Sequence, residues 1–117
     1  MSTTTEGREA VLLDFQPTED HSETFPSYEA EGRRGRFVLR EAAWNWELYL
    51  FTGPDTDTRP ALSGGVPGRE VGQKAAQLVE NATGEMPWRR FNDLIREATR
   101  TVSAERVARG DLPYLVV

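Results

Sequence analysis

The sequence predicts an α+β protein in which a small antiparallel sheet of three to four strands is followed by two to three helices packed on it. Segments with the two-residue alternation of strands occupy the first half of the chain, and segments with helical periodicity occupy the second. Strands followed by helices in this order are typical of antiparallel α+β proteins rather than doubly wound parallel ones. A length of 117 residues with 38% hydrophobic residues fits one domain.

The predicted strands come first along the chain. Four segments have strand character: 10–15, 28–31, 36–41 and 46–51. Gly32 and Gly35 supply a turn between the second and third segments. The third and fourth segments are expected to form an antiparallel hairpin that turns within residues 42–45, although one long bent strand is the alternative.

A loop and the helices complete the pattern. Residues 52–68 are rich in Gly, Pro, Asp and Thr, so they are expected to form a long loop. Apolar residues with helical spacing predict a first helix over 71–82 and a second one that begins at Pro87. Ser103 resembles the N-cap of a short third helix that Gly110 would end.

Charge divides the chain into two parts. Residues 1–31 contain eight acidic residues and one arginine, so their net charge is −7, while the remaining residues carry +2. We therefore expect residues 1–26 to form an acidic, partly disordered arm that contains the short strand 10–15. Residues 27–117 would form the single α+β domain. An acidic arm can repel nucleic acid, cover a basic surface of its own chain or reach a basic partner.

Several classes of site are excluded or disfavoured by composition. The chain has no cysteine, which excludes disulfides, cysteine zinc sites and thiol nucleophiles. Its one histidine, His21, lies in an acidic loop without a second histidine to complete a metal site. The glycines before Lys74 lack the spacing of a phosphate-binding loop. We therefore predict no catalytic residue, no cofactor and no metal site, and the sequence favours a protein that is not an enzyme.

No apolar run approaches the roughly 20 residues that a membrane-spanning helix needs. The first ten residues also lack the order of charges and apolar residues that marks a signal peptide. The expected location is therefore the cytoplasm, without membrane contact.

The predicted hairpin carries the candidate binding residues. By two-residue alternation, Tyr49 and Phe51 lie on the face opposite Leu48 and Leu50, and arginines flank them on the neighbouring strand. One interpretation is that helices cover one face and either residues 10–15 or 112–117 cover the other. The alternative is an exposed recognition face. The partner-binding candidates are Arg36, Arg40, Trp44, Tyr49 and Phe51.

Residues 28–81 resemble the AP2-type and integrase arm-binding DNA-binding domains, in which three short antiparallel strands precede a helix. The resemblance is carried by arginines and tryptophans on the sheet: Arg33, Arg34, Arg36, Arg40, Trp44 and Trp46. It implies a sheet that contacts the major groove of DNA. The chain departs from that pattern in its acidic net charge, its long loop over 52–68 and its additional helices.

These observations favour a small non-catalytic, regulatory binding protein of a bacterium or phage, acting through contact with an unidentified protein. A nucleic-acid-binding module that uses the arginine and aromatic face is the first alternative. An enzyme whose site is not visible in the sequence is the second. If the aromatic face is exposed, a homodimer is also expected as an outcome.

Overall fold

The computed structural model describes residues 9–54 and 59–114, which form an antiparallel sheet and two helices of the α+β class. The sheet pairs its strands in chain order, each antiparallel to the next. The strands are β1 (Gln16–Pro17), β2 (Ser27–Gly32), β3 (Gly35–Glu41), β4 (Trp46–Phe51) and β5 (Leu62–Val66). The helices are α1 (Arg69–Asn81) and α2 (Trp88–Ala108).

The described sheet has five strands, rather than the three to four that were predicted. β5 lies inside residues 52–68, which were expected to be loop, and residues 10–15 belong to no strand. β5 has little apolar alternation because two of its five residues are glycines. At one of them a side chain would press on the core, since a Cβ on Gly64 would lie 2.6 Å from Ile95 Cδ1. Pairing with β4 therefore defines β5, and local sequence does not.

The described helices number two, because the predicted second and third helices form the single helix α2. Ser103 is not an N-cap but a buried residue inside α2. Its Oγ accepts a hydrogen bond from the Tyr114 backbone N–H at 2.9 Å. The serine therefore serves the segment that follows α2, and this contact is invisible to a local capping rule.

Both helices pack on one face of the sheet, here called the helix-covered face. β3 and β4 place on it four side chains that are at most 1% exposed: Phe37, Leu39, Leu48 and Leu50. Helical residues complete the core: Val71, Ala75, Ala76 and Val79 from α1, and Phe91, Ile95, Ala98 and Val102 from α2. Full burial of each large side chain stabilises the fold by about 1.5–3 kcal/mol.

The turn between β2 and β3 binds the end of α1. Arg33 Nε donates to the Glu80 carbonyl oxygen and Arg34 Nε donates to the Val79 carbonyl oxygen, each at 2.8 Å. Both guanidinium groups also donate to the Ala82 carbonyl oxygen. The last carbonyls of a helix have no partner within the helix and carry partial negative charge. The two arginines therefore supply the donors that α1 lacks at its C-terminus.

Side chains of α1 hold the segment that precedes β1. Gln77 donates to the Val11 carbonyl oxygen and accepts from the Leu13 N–H, both at 2.8 Å. The buried Glu80 accepts from the Val11 N–H at 3.0 Å, while Leu13 and Phe15 pack on the core. Residues 11–17 are thus attached to the body of the protein. Of the partly disordered arm expected over residues 1–26, residues 1–8 lie outside those described.

Candidate functional site

The face of the sheet opposite the helices, here called the open face, brings four of the five candidate residues together. Tyr49 and Phe51 alternate with the buried Leu48 and Leu50, so they point away from the helices. The Arg36 guanidinium carbon lies 4.7 Å from the centre of the Phe51 ring. The corresponding distance from Arg40 to the Tyr49 ring is 5.8 Å. Both distances are within the range of cation–π contacts, so each guanidinium group packs against an aromatic ring on the open face.

No described element covers the open face. Residues 10–15 and 112–117 were the two candidates for covering it, but Leu13, Phe15 and Tyr114 all pack against the core on the helix side. Residues 115–117 lie outside the described part. Val38, at the centre of the open face, is only 3% exposed. Its burial shows that the surrounding side chains of the same face already form a packed, partly apolar layer.

The open face carries both signs of charge. Arg36 lies directly opposite Glu31, and Arg40 lies directly opposite Glu47. A further contact of 3.6 Å joins Arg36 to Glu29. The three carboxylates outnumber the two guanidinium groups, so the face is not a positive patch. Affinity for nucleic acid depends largely on positive charge that meets phosphate. The open face therefore lacks the excess of positive charge that contacts to phosphate need.

The fifth candidate, Trp44, lies away from these four, in the turn between β3 and β4. Its side chain is 98% exposed. A tryptophan buries more apolar area than most side chains when it enters a partner, and tryptophans are enriched among residues that dominate binding energy. Full exposure leaves Trp44 without a structural role within the described residues.

A second group of aromatic residues at this end of the sheet was not anticipated from the sequence. The Tyr28 ring stacks on Trp46 with 6.4 Å between ring centres, and the Arg69 guanidinium carbon lies 3.8 Å from the Tyr28 ring centre. His21 also contacts Tyr28, and its Nδ1 accepts from the Ser27 backbone N–H at 3.1 Å. The histidine thus holds its loop against β2. The one signal for this group in the sequence is the two-residue alternation of β2 and β4. It places Tyr28 and Trp46 on the helix-covered face.

The remaining residues that carried the DNA-binding resemblance are not on the open face. Arg33 and Arg34 are occupied at the end of α1, and Trp46 packs partly against the core. The structure therefore does not place these three side chains where a groove-reading sheet would need them.

A concavity of about 360 Å³ lies at the opposite end of the sheet, between Leu50, Leu62 and Met86. Its one charged lining residue, Arg34, donates to backbone carbonyls of α1 and to that of Gly84. In the part of the chain that the structure describes, no group of three or more histidine or acidic residues is placed to hold a metal ion.

Comparison with known proteins gave no family model, no curated protein and no solved structure that matches the chain. Among residues 9–54 and 59–114, neither helix is long and apolar enough to cross a membrane.

Proposed function

We propose that this chain is a small non-catalytic binding protein that acts through protein–protein contact, with the open face as its interface. One observation carries the proposal: a sheet face with partly exposed aromatic rings, stacked arginines and mixed charge that no described element covers. Aromatic residues and arginine are the residue types enriched in protein interfaces. A location in a bacterial or phage cytoplasm belongs to the same proposal, since the sequence has no cysteine to cross-link.

Nucleic acid is the competing partner, because arginine beside aromatic rings also suits stacked bases. The excess of carboxylates on the open face and the chain's net charge of −5 both oppose it. Self-association through the same face is a further outcome that the experiment below distinguishes.

The test is affinity capture from native lysate with the tagged full chain, with and without nuclease, followed by mass spectrometry. We compare the wild type with the double variant Arg36→Gln/Arg40→Gln, and with Arg96→Gln/Arg100→Gln as the matched control. Arg96 and Arg100 are exposed on α2, far from the open face. Glutamine removes charge without adding repulsion next to Glu29 or Glu31.

Recovery of a partner protein in stoichiometric amount would support the proposal under three conditions. The recovery must survive nuclease treatment, disappear with the open-face variant and persist with the control variant. Recovery that disappears with nuclease would shift the function to nucleic acid. Equal capture by both variants would overturn the open face as the interface. Light scattering of the purified chain, with the same variants, detects a homodimer through this face.

A further inference from the structure

We propose, building on the protein-binding function above, that the protein has a second recognition site that takes an arginine side chain of the partner. The site lies at the hairpin end of the sheet, defined here as the β3–β4 turn at 42–45, the loop 18–26 and the start of α1 at Gly68. It is a pocket of about 190 Å³ between Trp44, Trp46 and Pro67. Glu41 contributes its acidic side chain to the same lining.

The lining atoms of the pocket are almost all polar and Glu41 is one of the lining residues, so the pocket itself suits a cation, and the exposed Trp44 ring stands beside it. Indole rings attract a cation over their faces more strongly than other aromatic side chains do. A carboxylate at the rim adds the charge-assisted hydrogen bonds that a guanidinium group can donate. Trp44 is 98% exposed and Trp46 is half-buried, so one ring is available from solvent while the other is held by the fold.

The same end of the protein already binds a guanidinium group from its own chain. Arg69 lies with its guanidinium carbon 3.8 Å from the centre of the Tyr28 ring, and Tyr28 stacks on Trp46. The contact shows that the Tyr28 ring, which lies outside the pocket lining but at the same end of the sheet, accepts an arginine. A partner arginine in the pocket would lie next to Trp44. It would extend the row of stacked groups formed by Arg69, Tyr28 and Trp46 toward the β3–β4 turn.

Charge at the hairpin end favours a basic partner. Four acidic residues are exposed there, and none of them makes an ion pair with any described residue. They are Glu19, Asp20 and Glu23 in the loop and Glu41 at the end of β3. Phe25, 67% exposed, adds apolar surface beside them. Arginine fits this surface better than lysine because its planar group stacks on rings and binds carboxylates in pairs.

The test uses the indole N–H signals of the ¹⁵N-labelled full chain, since its three tryptophans give three reporters. Trp44 and Trp46 report on the pocket, and the exposed Trp88 at the start of α2 is the internal control. The signals are assigned with Trp44→Phe and Trp88→Phe variants. The probe is a blocked peptide of four glycine–arginine repeats, with glycine–lysine and glycine–glutamate peptides in parallel.

We expect the arginine peptide to shift the Trp44 and Trp46 signals in a saturable way while the Trp88 signal stays in place. Glu41→Gln should lower the affinity about two- to five-fold, as for loss of one exposed charged contact. Glu97→Gln, an exposed acidic position on α2, is the matched control and should leave the affinity unchanged.

The site would be overturned if the Trp44 and Trp46 signals did not shift, or if the Trp88 signal moved as far as they do. Equal changes of affinity in Glu41→Gln and Glu97→Gln would also overturn it. Tighter binding of the lysine peptide would refute guanidinium recognition. A Trp44 shift that depends on protein concentration without peptide would assign the pocket to a second copy. The Arg36→Gln/Arg40→Gln variant should keep the peptide shifts, so failure of the open-face interface is distinguishable from failure of this pocket.

Discussion

The Tyr114 hydroxyl donates a hydrogen bond to Glu70 Oε1 at 3.1 Å, which joins the segment after α2 to the first turn of α1. Arg106 donates to the same oxygen at 2.9 Å, and its guanidinium carbon lies 4.6 Å from the centre of the Tyr114 ring. One carboxylate oxygen therefore connects both helices and the C-terminal segment.

Glu70→Gln should make the protein less sensitive to acid. Partial burial alone would raise the pKa of Glu70, but the hydrogen bonds from Arg106 and Tyr114, with the charges of Arg106 and Arg109, hold it below its ordinary value of 4.5. A lowered folded pKa means that the ionised group stabilises the fold above pH 4.5, and that this stabilisation is lost as pH falls through the folded value.

Melting temperatures measured between about pH 3 and 6 check this expectation. The wild type should lose more stability than Glu70→Gln over that interval, by a small amount because Glu70 is partly solvated. Burial and the hydrogen bond to Glu70 raise the pKa of Tyr114, so its contribution is present below pH 10 and is lost above it. Tyr114→Phe should accordingly show a smaller fall in melting temperature above pH 10 than the wild type does. Identical acid profiles for wild type and Glu70→Gln would refute the assignment.

Gly72→Ala should destabilise the protein although alanine is the better helix former. A Cβ at Gly72 would collide with the side chain of Leu39, which is fully buried in the core. Overpacking of a core costs about 1–3 kcal/mol, more than the roughly 1 kcal/mol that alanine gains over glycine in a helix. Urea unfolding measures the difference. Gln73→Ala, one residue later in the same helix, is the control and should be neutral or slightly stabilising.

Glu80→Gln should weaken the attachment of the N-terminal segment. Glu80 is fully buried, and its Oε2 accepts from the backbone N–H groups of Val11 and Arg33, each at 3.0 Å. A glutamine carbonyl oxygen in the place of Oε2 can keep both bonds but loses the charge that strengthens them, and the amide group then enters the buried position of Oε1, which has no hydrogen-bond partner. The substitution should cost about 1–3 kcal/mol. Hydrogen exchange at Val11 should accelerate most. Glu85→Gln, an exposed position, should leave that exchange rate unchanged, and an equal rate in both variants would contradict the prediction.

Trp44→Ser should leave stability within about 0.5 kcal/mol of the wild type, because an exposed side chain makes few contacts to lose. Trp46→Ser should cost about 1–3 kcal/mol, since Trp46 packs partly against the core and stacks on Tyr28. Guanidinium unfolding of the two variants provides the comparison. A destabilised Trp44→Ser would show that this tryptophan has a structural partner, and would remove it as a binding anchor.

Local patterns in the sequence were sufficient for the central part of the fold. Alternation located β3 and β4 and placed Tyr49 and Phe51 on one face, because a strand with one buried face needs that pattern. β5 was missed because its glycines have no side chains to alternate. Ser103 was misread because its true partner, Tyr114, comes after the helix.

The candidate site was predictable to the same extent. The pairing of Arg36 and Arg40 with the aromatic rings follows from register, which the hairpin suggested. The contact between Tyr28 and Arg69 joins residues 41 positions apart, and no periodicity links them. The charge balance of the open face also required the register of β2, since Glu29 and Glu31 enter the face only through that pairing.

Chain order has a consequence for synthesis. The five strands of the described residues all pair with their sequence neighbours, so the sheet can form hairpin by hairpin while the ribosome is still adding residues. The helices that cover its apolar face come later, and α2 ends only at Ala108. Until then only α1 can cover Phe37, Leu39, Leu48 and Leu50 in the nascent chain, and the share of the core that α2 supplies is missing. A chaperone that binds exposed apolar strands would therefore engage this protein before its release, and translation that stalls before α2 would leave an aggregation-prone product.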